Sequence, residues 1–312
     1  MKLERNESVE DGGSDGDLPI HALGRAFGLD PDLIEEAVSG IRSGKSPIEW
    51  LNRLKPDDPE TLANLAILLI SSGQKEEAER LLRRAIDLDP MRVMSWVQLG
   101  SLLLARDDFD ESRICFERAI DLDPEAAGGW FGMGMLYLKE GKYDEAVKHL
   151  DRAGEIEPES RAVWIYRGFA LSSSRDPVGR YDEAIASFQK ALALDPKDGS
   201  TWRHMGVVYL QMCDYSKAAL ALRKATRLMP ADPEIWYLRG HAQRMLKKYK
   251  NALRNLDCAI ELDPGCAKAW VEKGHLLGAM GRKDEALEAL SHAKQLERKE
   301  DISEALTRSS ER

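Results

Sequence analysis

Apolar residues recur along most of this chain in short runs with the three- and four-residue spacing of an amphipathic helix. The runs come in pairs, and the second of each pair closes on a common tail. Ala-Ile-Asp-Leu-Asp-Pro stands at 85–90 and at 119–124, and variants end at Pro158, Pro196, Pro230 and Pro264. Successive prolines lie 34, 34, 38, 34 and 34 residues apart. A fixed period of that size is the signature of a stacked helical array. Polar segments such as Lys142-Tyr143-Asp144-Glu145 sit between the two runs of a pair. Each period therefore predicts two antiparallel helices, A and B, joined by a short turn.

Residue types within the period support this. A tryptophan (96, 130, 164, 202, 236, 270) is followed four residues later by Gly100, Gly134, Gly168, Gly206, Gly240 or Gly274. A small residue follows (Ser112, Ala146, Ala184, Ala218, Ala252, Ala286), then Ala119, Ala153, Ala191, Ala225, Ala259 or Ala293. An earlier unit fits with Leu62 in the tryptophan place, followed by Ala66, Ala78, Ala85 and Pro90. Helices cross closely only where side chains are small, so the glycine of A is expected to face the alanine of B, with tryptophan filling the gap between hairpins. Proline ends B and restricts the residue before it. Helices of roughly 14 residues are marginal alone, so the hairpins depend on stacking.

The Trp-x-x-x-Gly … Ala … Ala … Pro pattern resembles the tetratricopeptide repeat. Seven units are placed at 59–92, 93–126, 127–160, 161–198, 199–232, 233–266 and 267–300; the first lacks its tryptophan and the last runs to Arg298 instead of proline. The resemblance implies an all-α solenoid, a right-handed superhelix of antiparallel helix pairs whose inner wall is built mainly by the A helices.

Outside the repeats, residues 1–17 carry two positive and six negative charges and read as a disordered acidic tail. Residues 18–58 read as an N-terminal helical cap, with Asp30-Pro31 and Ser46-Pro47-Ile48-Glu49 as helix starts. Residues 301–312 read as a C-terminal capping helix with an apolar stripe at Ile302, Ala305 and Leu306. Unit four is longer than its neighbours, and the extra length falls at 172–179, between its helices.

Composition narrows the function. Lys plus Arg number 45 against 54 Asp plus Glu, a net charge of −9, which disfavours nucleic acid as a partner. No apolar run reaches membrane-spanning length and no signal-peptide core is present, so the expected location is cytoplasmic, away from membranes. Cysteines 115, 213, 258 and 266 lack Cys-x-x-Cys spacing and read as reduced thiols. Gly40 to Ser46 misses the phosphate-loop pattern by one residue between its glycines. No nucleophile, acid–base pair or metal set emerges, so no cofactor, metal or enzymatic activity is expected.

What remains is the wall. In the family, the residue after the tryptophan and those four and seven further on point into the groove. They read Ala63, Ile67, Ile70; Val97, Ser101, Leu104; Phe131, Met135, Leu138; Ile165, Phe169, Ser172; Arg203, Val207, Leu210; Tyr237, His241, Arg244; and Val271, His275, Gly278. The wall is expected to be apolar in units one to four and partly basic beyond, with His204 and Lys268 adding to it. Gly128, Gly129 and Gly132 read either as a relaxed helix start with tight packing or, for Gly128 and Gly132, as the opening of a socket for a partner's apolar anchor beside Met94, Val97, Phe131 and Ile165. The peptide-binding residues are accordingly Val97, Phe131, Gly132, Met135, Ile165, Phe169, Arg203, His204, Tyr237, His241, Arg244, Lys268 and His275. The Lys and Asn set by which some family members clamp a carboxylate is missing: Ala63, Asn64 and Ile67 stand in the first unit. The expected function is a non-catalytic scaffold that binds a protein or peptide segment carrying apolar anchors and acidic residues. A self-associating structural protein, or a regulatory subunit of an enzyme complex, is the alternative.

Overall fold

The computed structural model describes residues 58–174 and 180–310. The expected acidic tail, the expected cap up to residue 57 and residues 175–179 of the insertion lie outside the described residues. Among the described residues there are fourteen helices and no strand. They alternate as A and B: α1 (Pro59–Ser71) and α2 (Lys75–Leu88); α3 (Val93–Leu104) and α4 (Phe109–Leu122); α5 (Ala127–Lys139) and α6 (Tyr143–Ile156); α7 (Arg161–Ser173) and α8 (Tyr181–Leu194). Then come α9 (Gly199–Gln211) and α10 (Tyr215–Leu228); α11 (Pro233–Met245) and α12 (Tyr249–Leu262); α13 (Ala267–Ala279) and α14 (Lys283–Ser310).

Two compact bodies are present, Met1–Gly132 and Met133–Arg312, divided inside α5. In the first, α1 to α4 pack each on the next, and the A helices α1 and α3 also touch. In the second, each helix from α6 to α14 packs on the next, and the A helices form a row in which α7 meets α9, α9 meets α11 and α11 meets α13.

The repeated residues have distinct tasks. The glycine four after each tryptophan admits a bulky side chain from B, not only the alanine. A Cβ at Gly134, Gly206 or Gly240 would lie 2.7, 2.7 or 2.8 Å from Cγ of Leu150, Leu222 or Leu256, and one at Gly100 or Gly168 would strike the ring of Phe116 or Phe188. The alanine contributes its backbone: Ala252 O lies 3.5 Å from the Cβ position of Gly240.

At the B-to-A junction the residue before proline is extended, as a following pyrrolidine ring demands; Asp89 has φ −139 and ψ 87. Its carboxylate then caps the turn, with Asp89, Asp123, Asp195 and Asp263 accepting from the backbone N–H two residues on. The proline carbonyl accepts from the indole Nε1 six residues later in all six junctions, from Trp96 to Pro90 (2.9 Å) through Trp270 to Pro264 (3.1 Å). The Asp-Pro tail and the tryptophan are thus one device.

The A-to-B turn is a Schellman closure. The N–H groups of Gln74, Asp108, Lys142, Asp214, Lys248 and Arg282 reach the carbonyls of Leu69, Leu103, Tyr137, Tyr209, Gln243 and Leu277. The residue before each is left-handed: Gly73, Gly141 and Gly281, but also Asp107, Cys213 and Lys247. In the last repeat no proline ends the B helix, and α14 continues without a break to Ser310. The segment expected as a separate C-terminal helix is its extension.

Lys247 is exposed, with φ 58, where a Cβ is disfavoured by roughly 1–2 kcal/mol. Part of that is offset by the larger unfolded-state entropy of glycine. Lys247→Gly is therefore expected to stabilise the protein by about 0.5–1 kcal/mol, read as a higher urea midpoint.

Candidate functional site

In the N-terminal body the A-helix wall is apolar. Ile67 is exposed, Met94 is 54% exposed, and Val97 and Phe131 are half-buried. Ala63 and Leu104, expected on the wall, belong to the core. The expected socket does not form in this body. Gly132 is buried, and a Cβ there would fall within the Phe116 ring, 2.6 Å from Cζ. A Cβ at Gly129 would lie 2.8 Å from Ile120 Cγ1, and one at Gly128 3.2 Å from Val97 Cγ1. The glycines let α5 settle onto α3 and α4, and the chain's own side chains occupy the space. Gly132 is therefore a packing residue; Phe116, larger than leucine, needs glycine both at Gly100 and at Gly132.

In the C-terminal body the wall begins with Met135 and Ile165, both half-buried, and Tyr166 and Phe169, which are exposed, Phe169 at 41%. The Phe169 ring faces the next A helix, meeting His204 edge-on at 6.4 Å. His204 also stacks on Phe188 at 6.0 Å. Its Nδ1 is buried without a hydrogen-bond partner. Burial, with the neighbouring Arg203 charge, pushes its pKa below the ordinary histidine value of 6.5. A neutral imidazole held between two phenyl rings attracts no acidic group, which corrects its expected role.

The expected basic stretch is likewise neutralised from within. Arg203 donates to Glu234 at the start of the next A helix. Glu272, 6% exposed on α13, receives Arg244 Nε at 2.5 Å, and His241 Nδ1 lies 2.8 Å from the same oxygen. Burial alone would raise the Glu272 pKa, but the bonds from His241 and Arg244 prevail and hold it below the usual carboxylate value. Tyr237 is half-buried against Ala252, Leu256 and Leu276, and burial and the Glu272 charge raise its phenol. Of the expected cationic set, Lys268 and His275 are exposed. Sequence reasoning missed Glu234 and Glu272. The available signal was their spacing: each lies 31 residues beyond its partner, Arg203 or His241, and so on the adjacent A helix.

No helix among the described residues is long and apolar enough to cross a membrane, and no group of three His, Cys, Asp or Glu there is placed to hold a metal ion.

Models of the tetratricopeptide repeat match residues 63–127, 97–161, 131–199, 178–242, 233–266 and 267–300. The chain belongs to the tetratricopeptide-repeat family. Solved structures of similar fold include Pseudomonas aeruginosa pilF, with TM-score 0.60 at 17% identity over 68% of this chain and 94% of that one. A tetratricopeptide repeat protein from Parabacteroides merdae aligns with TM-score 0.55 at 18% identity, over 80% and 97%. YrrB, a TPR protein with an unusual peptide-binding site, aligns with TM-score 0.53 at 20% identity, over 60% and 95%. These likenesses establish an all-α tetratricopeptide-repeat solenoid. No curated protein matches the chain.

Two predictions follow from this packing. Gly132→Ala must displace the Phe116 ring and is expected to cost about 1–3 kcal/mol, as overpacked cores do; an unchanged denaturation midpoint would restore the socket. For His204, the folded pKa lies below the unfolded one, so the unfolded state binds more protons. Stability is full above about pH 6.5 and falls as pH drops from the unfolded toward the folded pKa. His204→Phe should flatten that part of the melting-temperature profile between about pH 7 and 5.

Proposed function

We propose that this chain is a non-catalytic scaffold that captures an apolar segment of another protein on the A-helix wall of its C-terminal body, at Ile165, Tyr166 and Phe169. Members of the family are typically protein-interaction modules. The observation that carries the reading is Phe169, a phenyl ring left 41% exposed on a row of helices whose other large side chains are mostly half-buried or paired. Exposed apolar clusters rimmed by polar groups mark interaction surfaces. YrrB, of the same fold, has a peptide-binding site, which adds support by analogy.

The partner's chemistry is now narrower. Arg203, His241 and Arg244 are committed to Glu234 and Glu272, so acidic residues of a partner would compete with built-in carboxylates. Apolar anchors dominate recognition, with Lys268 and His275 left to meet a negative group at the far end.

Selection of a random peptide library on the full chain is expected to enrich sequences with large apolar residues. Phe169→Asp should weaken the selected peptides about 30-fold, as loss of an aromatic hot spot of ~2 kcal/mol does, while the far-UV circular dichroism stays unchanged. Peptides that bind the variant as well as the parent would place the site elsewhere.

A further inference from the structure

The side of the C-terminal body lined by B helices carries a second feature, independent of the wall. Three of its A helices bear a cation three residues after the tryptophan: Arg167 on α7, Arg239 on α11 and Lys273 on α13. In two cases the residue 16 positions earlier, on the preceding B helix, is an aspartate that binds it. Arg167 Nε meets Asp151 at 2.5 Å, and Lys273 Nζ meets Asp257 at 2.6 Å. At Arg239 the corresponding residue is Arg223. The other carboxylate near Arg167 is Glu183, and its counterpart on α12 is Asn251. Both acids that serve Arg167 are thus replaced around Arg239, one by a like charge and one by an amide.

What surrounds Arg239 is concave and basic. A cavity of ≈330 Å³ is lined by Trp236, Arg239, Gln243, Asn251, Arg254 and Asn255, with Cys258 closing it. Arg239 lies over the Trp236 ring, 5.7 Å from its centroid, and donates to Thr226 Oγ1 at 3.1 Å, while its Nε is buried with no partner. Burial, then the charges of Arg223 and Arg227, push its pKa below the ordinary guanidinium value. Among the described residues no ion pair joins Arg223, Arg227, Arg239 or Arg254 to a carboxylate. No acid is among the lining residues; Glu261 and Asp257 act on Cys258, and Asp257 is taken by Lys273.

We propose that this cavity between α11 and α12 binds a phosphate group, held by Arg239 and Arg254, which line it, and by the amides of Asn251 and Asn255, while the charges of Arg223 and Arg227 on α10 bear on Arg239. Two guanidinium groups line the cavity with no carboxylate among the lining residues, and two more on α10 act on Arg239. A phosphate brings up to two charges and three acceptor oxygens, which suits several planar donors at once. The group is free phosphate or a phosphorylated side chain; both present the same oxygens.

The test uses the full chain and calorimetric titration with inorganic phosphate and with O-phosphoserine at constant ionic strength, serine serving as control. Binding of phosphate or O-phosphoserine, but not serine, is expected, and the tighter of the two names the source. Arg223→Asp rebuilds the pair seen at Arg167 and Lys273. It should fold at least as well, melt no lower without phosphate, and bind about tenfold or more weakly. Arg254→Gln, at an exposed position, should also bind more weakly with its melting unchanged. Absence of binding by the parent chain, or equal binding by Arg223→Asp, would overturn the assignment. Phe169→Asp should bind phosphate like the parent, which separates this site from the wall.

Discussion

The glycine on each complete A helix sets the distance at which its B helix can lie, and every other contact in the hairpin follows from that approach. With a Cβ at Gly134 or Gly206 the leucine of B would have to withdraw, and the alanines behind it would lose their close backbone contacts. Tight crossing buries the short helices from two sides at once, which individual helices of this length need. The tryptophan and the Asp-Pro tail then fix how one hairpin meets the next. Removing an indole partner would leave the proline carbonyl to find another donor.

Because these contacts recur at the same positions from one complete repeat to the next, the remaining surface is at liberty to differ from repeat to repeat. Along the A-helix row of the C-terminal body, it presents phenyl and aliphatic groups at α7 and internally balanced charge from α9 to α13. On the other side, the position facing the tryptophan carries Lys190 over Trp164 at 3.8 Å and Lys224 over Trp202 at 3.9 Å, then Cys258 in the following repeat. One scaffold thus carries local chemistry that changes over a single period.

The repeat, the helix pairs and the B-to-A junctions were legible in the sequence because each depends on contacts at fixed, short separations. Pro90 and Trp96 lie six residues apart, and a period reveals them. The wall was legible where exposure follows helical phase, as at Ile67 and Phe169. It was not legible where a neighbour's size or charge decides the outcome. Gly132 reads as a socket or as a packing residue until Phe116 is seen to stand where five of the other B helices carry leucine. Arg203 and Arg244 read as available until Glu234 and Glu272, one A helix further on, are matched to them. The left-handed turns at Asp107, Cys213 and Lys247 escaped for a different reason: closure of the backbone fixes them, whatever the side chain.

The indole-to-proline bonds have a practical corollary. Each of the six tryptophans within the repeats is tethered to a different seam, so its emission colour reports whether that particular seam is dry or wetted. A set of single-tryptophan chains would turn the solenoid into a ruler of its own fraying, showing which hairpins part first and which hold to the end.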